Sequence, residues 1–577
     1  MRSTRASSPA RVVPLEHVVE RVDHCSASAA RATTRGEGRA RREPRNVRRI
    51  GIFGWGIVAP KSRDIAAFER NLFAAESWLS PFDGFGPSHF LVGSPEFRFS
   101  DYKAWIDARF PGNRYAQIER KMGLPVQYAV GAFIQALGQN PGIEGVLQEL
   151  GTAAHVYVGC ALGDLQTIAD NGVALHRAQR RWDRFWADTA RNDALRAWLA
   201  CPEAERDRDA PPHPESAAVE DRDLAEDVFW RYWAARSTDL HEYLQELRLI
   251  ESAGVSGNVE TAKIAVIKEK RARITALQKK WKAPEPPWNE VSANVLWNIQ
   301  NAPASQISMV GRIVGATFAP LAACSTFGYA LKFAMNSITL GQAKAVVVGA
   351  TDPAPHRLSV GGFYQARVLS ADGEVSKPLT NLRGTHVAGG SVIWIVGDYE
   401  YMTARGFTPL GMEPIAVGLS ADADHIITPS KEGPARALGL ALDEAGVAPA
   451  QIGSWDLHAT ATPGDFLEVE TMRSLLPETV LVTARKGTFG HGMGACGGWE
   501  LTAQYLAQAR GQIPASGLTR EQLNAEIAKV HQRFVFDEPC APPEGLAGKM
   551  SMGIGGINAC VISRPWTAPT SPGHRSG

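Results

Sequence analysis

Apolar and polar positions along the 577 residues fall into two alternating patterns. Short apolar runs recur at Ile50-Gly-Ile-Phe-Gly-Trp-Gly-Ile-Val-Ala-Pro, His155–Gly159, Ala345–Gly349, Ser391–Val396, Trp455–His458, Val480–Thr483 and Met552–Ile562. Each has the length of a strand. Segments of helical spacing separate them: one from about Ile65, then Cys324–Leu340, Gly433–Ala445 and Gly497–Arg510. Strands alternating with helices predict an α/β fold around a buried mixed or parallel sheet.

The stretch from about residue 168 to 287 breaks this rhythm, being charged, poor in strand signals and rich in tryptophan. Between Asp223 and Ile250 the residues Leu224, Val228, Tyr232, Leu240, Tyr243, Leu244 and Leu247 recur mostly at helical spacing, and a second helix runs from about Glu260 to Trp281. Gly254-Val-Ser-Gly-Asn between them has turn chemistry. These features predict an antiparallel helical hairpin inserted into the α/β framework, with the Pro- and acid-rich Cys201–Ala217 as an exposed linker.

The length exceeds one ordinary core and suits packed domains or a duplicated fold. Formal net charge is +1, yet residues 1–49 hold 12 Arg against 5 acids, which leaves the body at −6 and makes nucleic acid an unsuitable partner. That Arg-rich segment reads as a disordered extension, a transit-like sequence or the product of an upstream start. The seven cysteines form no CxxC pair and no His cluster at metal-ligand spacing, so neither a disulfide framework nor a metal site is expected. No apolar run has the length of a membrane helix, and a soluble cytoplasmic protein is expected.

Three segments concentrate glycine, small residues and one reactive side chain each. In Ala322-Ala-Cys-Ser-Thr-Phe-Gly-Tyr-Ala-Leu, Cys324 opens a helix, where the N-terminal partial charge is expected to lower a thiol pKa and free N–H groups to receive an oxyanion. Asp456-Leu-His-Ala-Thr-Ala-Thr-Pro-Gly-Asp places His458 directly after a strand, with Thr460 and Thr462 at alternate positions. In Lys486-Gly-Thr-Phe-Gly-His-Gly-Met-Gly-Ala-Cys-Gly-Gly-Trp-Glu, Lys486 precedes His491 and Glu500 follows on a helix. Taken singly, each reads more readily as a buried structural residue. Together, one Cys and two imidazoles suit acyl-thioester chemistry.

In that order and spacing the chain resembles the β-ketoacyl-acyl carrier protein synthases of the elongating ketosynthase type, within the thiolase-fold superfamily. The resemblance runs from about Arg49 to Arg564, interrupted by the insertion. It implies two related βαβαβαββ halves in an αβαβα arrangement, residues 49–398 and 399–564, flanked by an extension (1–48) and a tail (565–577). It further implies Cys324 as acyl-accepting nucleophile, His458 and His491 as decarboxylating histidines, Lys486 as the lysine that orders the site and Glu500 as the acid on the following helix. Thr460 and Thr462 match hydroxyls that contact the phosphopantetheine arm. Gly553-Ile-Gly-Gly-Ile-Asn558 matches the terminal glycine loop, so Ile554, Gly555 and Gly556 are expected against the substrate, with the N–H groups of Cys324 and Ile554 as oxyanion hole.

The implied reaction is a decarboxylative condensation of an acyl-enzyme with a malonyl thioester, without metal or redox cofactor. Its substrates ride on the phosphopantetheine of acyl carrier protein or on CoA, and the implied assembly is a homodimer through the first half. A thiolase and a non-catalytic chain-length-factor-like partner are the alternatives. The first would place a catalytic Cys in the glycine loop, where Cys560 lies beyond it, and the second typically lacks the nucleophile. The chain departs from the pattern at Ala459, where Gly is usual, in a His458–Asp465 segment one residue short, at Ile554 for a gating Phe, and at Arg383-Gly-Thr-His386 for an RDGF-like entry.

Overall fold

The structure, a computed structural model, describes residues 48–74, 76–254 and 259–566. The Arg-rich extension and most of the tail lie outside the described residues, as does the turn chemistry at 255–258.

Two five-stranded sheets form the frame. The first uses β1 (Ile50–Val58), β4 (Ala154–Gly159), β5 (Thr317–Phe318), β6 (Ala345–Asp352) and β7 (Gly390–Asp398) in the order β1-β7-β6-β4-β5. The second uses β8 (Met412–Ala421), β9 (Ile452–Asp456), β10 (Leu481–Thr483), β11 (Leu546–Gly553) and β12 (Ile557–Pro565) in the order β8-β12-β11-β9-β10. A small pair, β2 (Ser80–Pro81) and β3 (Leu91–Val92), stands apart.

Counting each half's strands from its own start, both sheets read first, fifth, fourth, second, third. The pairings also repeat. β1–β7 and β6–β7 are antiparallel while β4–β6 and β4–β5 are parallel. In the second half β8–β12 and β11–β12 are antiparallel while β9–β11 and β9–β10 are parallel. This duplicated topology is the thiolase-like fold.

The layers follow from strand pleating, which sends alternate side chains to opposite faces. Val346, Val348, Val392 and Trp394 face a central core that also holds Phe327, Ala330 and Leu331 of helix Thr326–Thr339, and Trp499, Leu501 and Tyr505 of helix Cys496–Arg510. Their sequence neighbours Ala345, Val347, Ile393 and Ile395 face the outer helices Leu124–Leu137 and Ala302–Gly311. In the second half Trp455, Met550 and Ile562 face the outer helices Glu432–Ala445 and Gly464–Leu475. Helix, sheet, helix, sheet and helix thus stack as five layers.

The insertion forms its own helical core around Trp182, Trp186, Trp198, Phe229, Trp233 and Tyr243. The arm read as one segment from Asp223 to Ile250 is two helices, Arg222–Ala234 and Thr238–Glu251, because Ser237 caps the second through the Leu240 N–H at 3.3 Å. Helix Val259–Trp281 runs antiparallel to Thr238–Glu251, tied by Lys280 to Glu246 (2.7 Å) and Lys270 to Glu251 (3.3 Å). The apolar run Met552–Ile562 is likewise not one strand. It contains the turn between β11 and β12, where Gly555 and Gly556 take φ of 95° and 66°, a region side chains rarely adopt.

Candidate functional site

Cys324 sits in a single 3₁₀ turn, Ala323–Ser325, that leads into helix Thr326–Thr339. Ala323 has φ 46°, so the turn is sharp. His458 follows β9, and His491 follows the short helix Lys486–Phe489. The fold brings Cys324 Sγ and one ring nitrogen from each histidine within 4.8 Å of one another. All three residues line a cleft of about 350 Å³, whose other walls include Thr460, Thr462, Ile554, Gly556, Phe363, Thr385 and Ile426. Gly555 is not on that wall; its N–H is taken by the Ile426 carbonyl at 2.7 Å.

The expected lowering of the Cys324 thiol does not occur. Burial pushes it up to about 11, although the Lys486 charge and the backbone N–H groups of Ile554 and Cys324 act in the opposite direction. Desolvation therefore outweighs the helix end.

The histidines are both neutral and both oriented. Their pKa values lie well below 6.5, first because burial disfavours imidazolium and next because Lys486 repels it. The Met493 N–H donates to His491 Nδ1 at 3.2 Å, and Lys486 Nζ stands 3.4 Å from His458 Nδ1. A nitrogen that faces a donor must accept, so each ring carries its proton on Nε2. A metal ion on Nε2 would need the other nitrogen protonated and facing an acceptor, the reverse of this arrangement, so the trio fits a metal poorly.

Behind the rings lies a buried ion cluster. Lys486 Nζ bonds Glu500 Oε1 at 2.7 Å and also the His458 carbonyl oxygen. Lys549 Nζ forms an ion pair with Glu500 Oε2 at 2.8 Å, and Arg485 Nε donates to Asp456 at 2.7 Å. Burial alone would lower Lys486, but Cys496 and Glu500 raise it above an ordinary lysine. Glu468 accepts the N–H groups of His458 (2.7 Å) and Ala459 (2.8 Å), and burial pushes its carboxyl to about 7. Lys549 and Glu468 escaped the sequence reading; the available signal was a lone charge inside an apolar strand or helix face.

The sequence departures have local structural answers. The shortened segment closes as a turn in which Asp465 gathers the N–H groups of Thr460 (2.7 Å) and Ala461 (3.1 Å), with Ala461 at φ 60°. Thr460 and Thr462 hydroxyls meet at 2.9 Å. His386 is buried, accepting the Ser376 N–H at 2.8 Å through Nε2 and reaching the Leu91 carbonyl at 3.0 Å through Nδ1. Arg383 pairs with Asp372 at 2.6 Å.

Comparison with known proteins matches residues 246–395 to the beta-ketoacyl synthase N-terminal domain and residues 415–518 to the beta-ketoacyl synthase C-terminal domain. The chain is 31% identical over 280 residues to 3-oxoacyl-[acyl-carrier-protein] synthase 2 of Rhizobium meliloti (strain 1021), covering 46% of this chain and 65% of that protein. It is 32% identical over 283 residues to the mitochondrial 3-oxoacyl-[acyl-carrier-protein] synthase of Arabidopsis thaliana, covering 45% and 59%. A mitochondrial relative from Schizosaccharomyces pombe is 30% identical over 292 residues, covering 47% of this chain and 67% of the relative. The match thus spans about 59–65% of the first two relatives.

Among solved structures, the ishigamide ketosynthase/chain length factor superposes with TM-score 0.61 at 18% identity, covering 90% of this chain and 100% of that one. A beta-ketoacyl synthase from Burkholderia phymatum STM815 gives the same TM-score, identity and coverage. Among the described residues no helix is long and apolar enough to cross a membrane. With a duplicated thiolase-like topology, both domain models and these relatives in agreement, the chain belongs to the β-ketoacyl synthase family.

Proposed function

We propose that the chain is a β-ketoacyl-acyl carrier protein synthase, an acyltransferase that condenses an acyl group held on Cys324 with a malonyl thioester. The observation that carries this reading is the convergence of Cys324 Sγ with two neutral, Nε2-protonated imidazoles in one cleft.

In the first step the Cys324 sulfur, giving up its proton, attacks the donor thioester carbonyl. The carbonyl oxygen becomes an oxyanion facing the Cys324 and Ile554 N–H groups, and the old C–S bond breaks to release the carrier thiol with a proton. A malonyl thioester then places its carbonyl oxygen between His458 and His491. Loss of carbon dioxide leaves the C–C bonding pair in an enolate, whose oxygen accepts both Nε2–H groups. Neutral donors suit this task, because they bind the developing charge without protonating the carbanion. The enolate carbon attacks the acyl-Cys324 carbonyl, and collapse of that second tetrahedral intermediate returns the sulfur.

Thr460 and Thr462, on the cleft wall, suit the amide groups of a phosphopantetheine arm, and the chemistry calls for no metal or redox cofactor from this set of residues. Carrier-bound substrates and a homodimer belong to the same proposal. For the dimer, β5 is a two-residue edge strand that itself carries exposed Phe318, near exposed Leu321 and Ile299, an apolar edge suited to a second copy and testable by light scattering. Intact-mass measurement after incubation with acyl carrier proteins of different acyl lengths tests the reading. An acyl adduct mapped to Cys324 supports it, and no adduct with any acyl length contradicts it.

A further inference from the structure

Asp352 ends β6 with its side chain wholly buried, yet it is held by backbone N–H groups rather than by a cation. Oδ1 accepts the Leu162 N–H at 2.9 Å and Oδ2 accepts the Gly494 N–H at 2.8 Å. Cys160, directly after β4, and Cys324 are titratable groups that feel its charge. Burial pushes the carboxyl to about 7, a penalty that a merely space-filling apolar residue would avoid.

The two backbone donors belong to different walls. Leu162 lines a shallow apolar side cavity of about 240 Å³, largely open to solvent, with Leu165, Leu358 and Phe363, and Phe363, Ala366 and Ile554 line both that cavity and the main cleft. Gly494 lies in the 3₁₀ turn Met493–Ala495, the turn whose first N–H fixes the tautomer of His491. A carbon at Gly494 would stand 2.9 Å from Asp352 Oδ2 and 3.2 Å from Thr326 Cβ, so the turn is seated closely on the carboxylate.

We propose that Asp352 is a positioning residue that clamps the His491 turn to the wall of the apolar side cavity, so that what fills the cavity bears on the alignment of the histidine. The inference rests on the condensing reading above. A carboxylate can accept at both oxygens, whereas an amide accepts at one and offers N–H groups at the other. An Asn at this position therefore faces one backbone N–H with a donor and releases that wall.

The test compares the wild type with Asp352→Asn and, approaching the same contact from the other side, Gly494→Ala. Amide hydrogen exchange in peptides containing Leu162 and Gly494 reads the clamp without any activity. At least one of these amides is expected to exchange about tenfold faster in Asp352→Asn. Malonyl decarboxylation should fall about tenfold to a hundredfold in kcat in both variants, with a larger loss when Cys324 carries a long acyl chain than an acetyl group. Cys324 acylation should fall much less.

Unchanged exchange at both amides overturns the clamp. Equal losses in acylation and decarboxylation, independent of acyl length and matched by a lower melting temperature, reduce Asp352 to a structural residue and overturn the proposal too. Absence of decarboxylation in the wild type, with exchange still altered in Asp352→Asn, would instead refute the condensing reading and leave the clamp standing.

Discussion

Replacing Glu500 by Gln removes the shared counter-ion of two buried ammonium groups. Lys486 Nζ lies 2.7 Å from one carboxylate oxygen and Lys549 Nζ 2.8 Å from the other, and the side chains of all three residues are no more than 1% exposed. With Arg485 and Asp456 the cluster holds three cations and two anions, so loss of Glu500 takes its net charge from +1 to +2 without access to water. Breaking a buried pair typically costs about 3–5 kcal/mol, and here two cations lose a partner, so the upper part of that range is expected. Against a total stability of about 5–15 kcal/mol the loss is large.

Equilibrium unfolding in urea measures it, with the double variant Glu500→Gln/Lys549→Met as control. Removing the second ammonium restores the charge count, so the double variant should recover at least about 1 kcal/mol of the loss. A Glu500→Gln stability within about 1 kcal/mol of wild type, or no recovery in the double variant, would refute the claim that this cluster supports the site electrostatically.

Three further outcomes follow from the same geometry. Glu468, whose carboxyl burial raises to about 7 from the ordinary glutamate value near 4.5, destabilises the fold increasingly as it ionises; Glu468→Gln should therefore gain on wild type by about 3 kcal/mol between about pH 4.5 and pH 8, and a pH-independent gap contradicts this. Ile554 stands on the wall between the two cavities, so Ile554→Phe should narrow the range of acyl donors in competition assays, while an unchanged donor profile removes the gate. In the insertion, Lys270, Arg273 and Lys280 pair with Glu251, Glu269 and Glu246, leaving, among the described residues, Lys268, Arg271, Lys279 and Lys282 as the cations open to an acidic carrier; changing Lys268, Lys279 and Lys282 to Glu should raise KM for a carrier-bound substrate but not for a pantetheine thioester, and equal losses on both assign the hairpin to stability.

The convergence of Cys324, His458 and His491 on one cleft was legible because each sits in a segment whose small residues and glycines have no other obvious use. The strands at Ala345 and Ser391 were legible because β-branched runs buried on both faces leave little ambiguity. β8 went unread, since Pro414 and Gly418 interrupt its apolar run, and it pairs with β12 across an irregularity at Ile562/Ser563. The break at Ser237 was hidden because helical spacing continues in phase through it. The ion cluster depends on Lys549, Glu500 and Asp456 meeting from distant parts of the chain, which no local pattern encodes. For the same reason the Cys324 thiol was misjudged: the helix start is written in the sequence, but the complete burial that overrides it arises only when the halves pack.

The most direct test of the whole account separates the two half-reactions. In Cys324→Ala, intact-mass measurement should show no acyl adduct while malonyl decarboxylation, followed as carbon dioxide release, persists. In His491→Ala the adduct should form at Cys324 while carbon dioxide release falls about a hundredfold to a thousandfold, the usual effect of losing one donor to a developing oxyanion. Condensation at the wild-type rate in His491→Ala, or adduct formation that survives in Cys324→Ala, would contradict the division of labour between the sulfur and the two imidazoles.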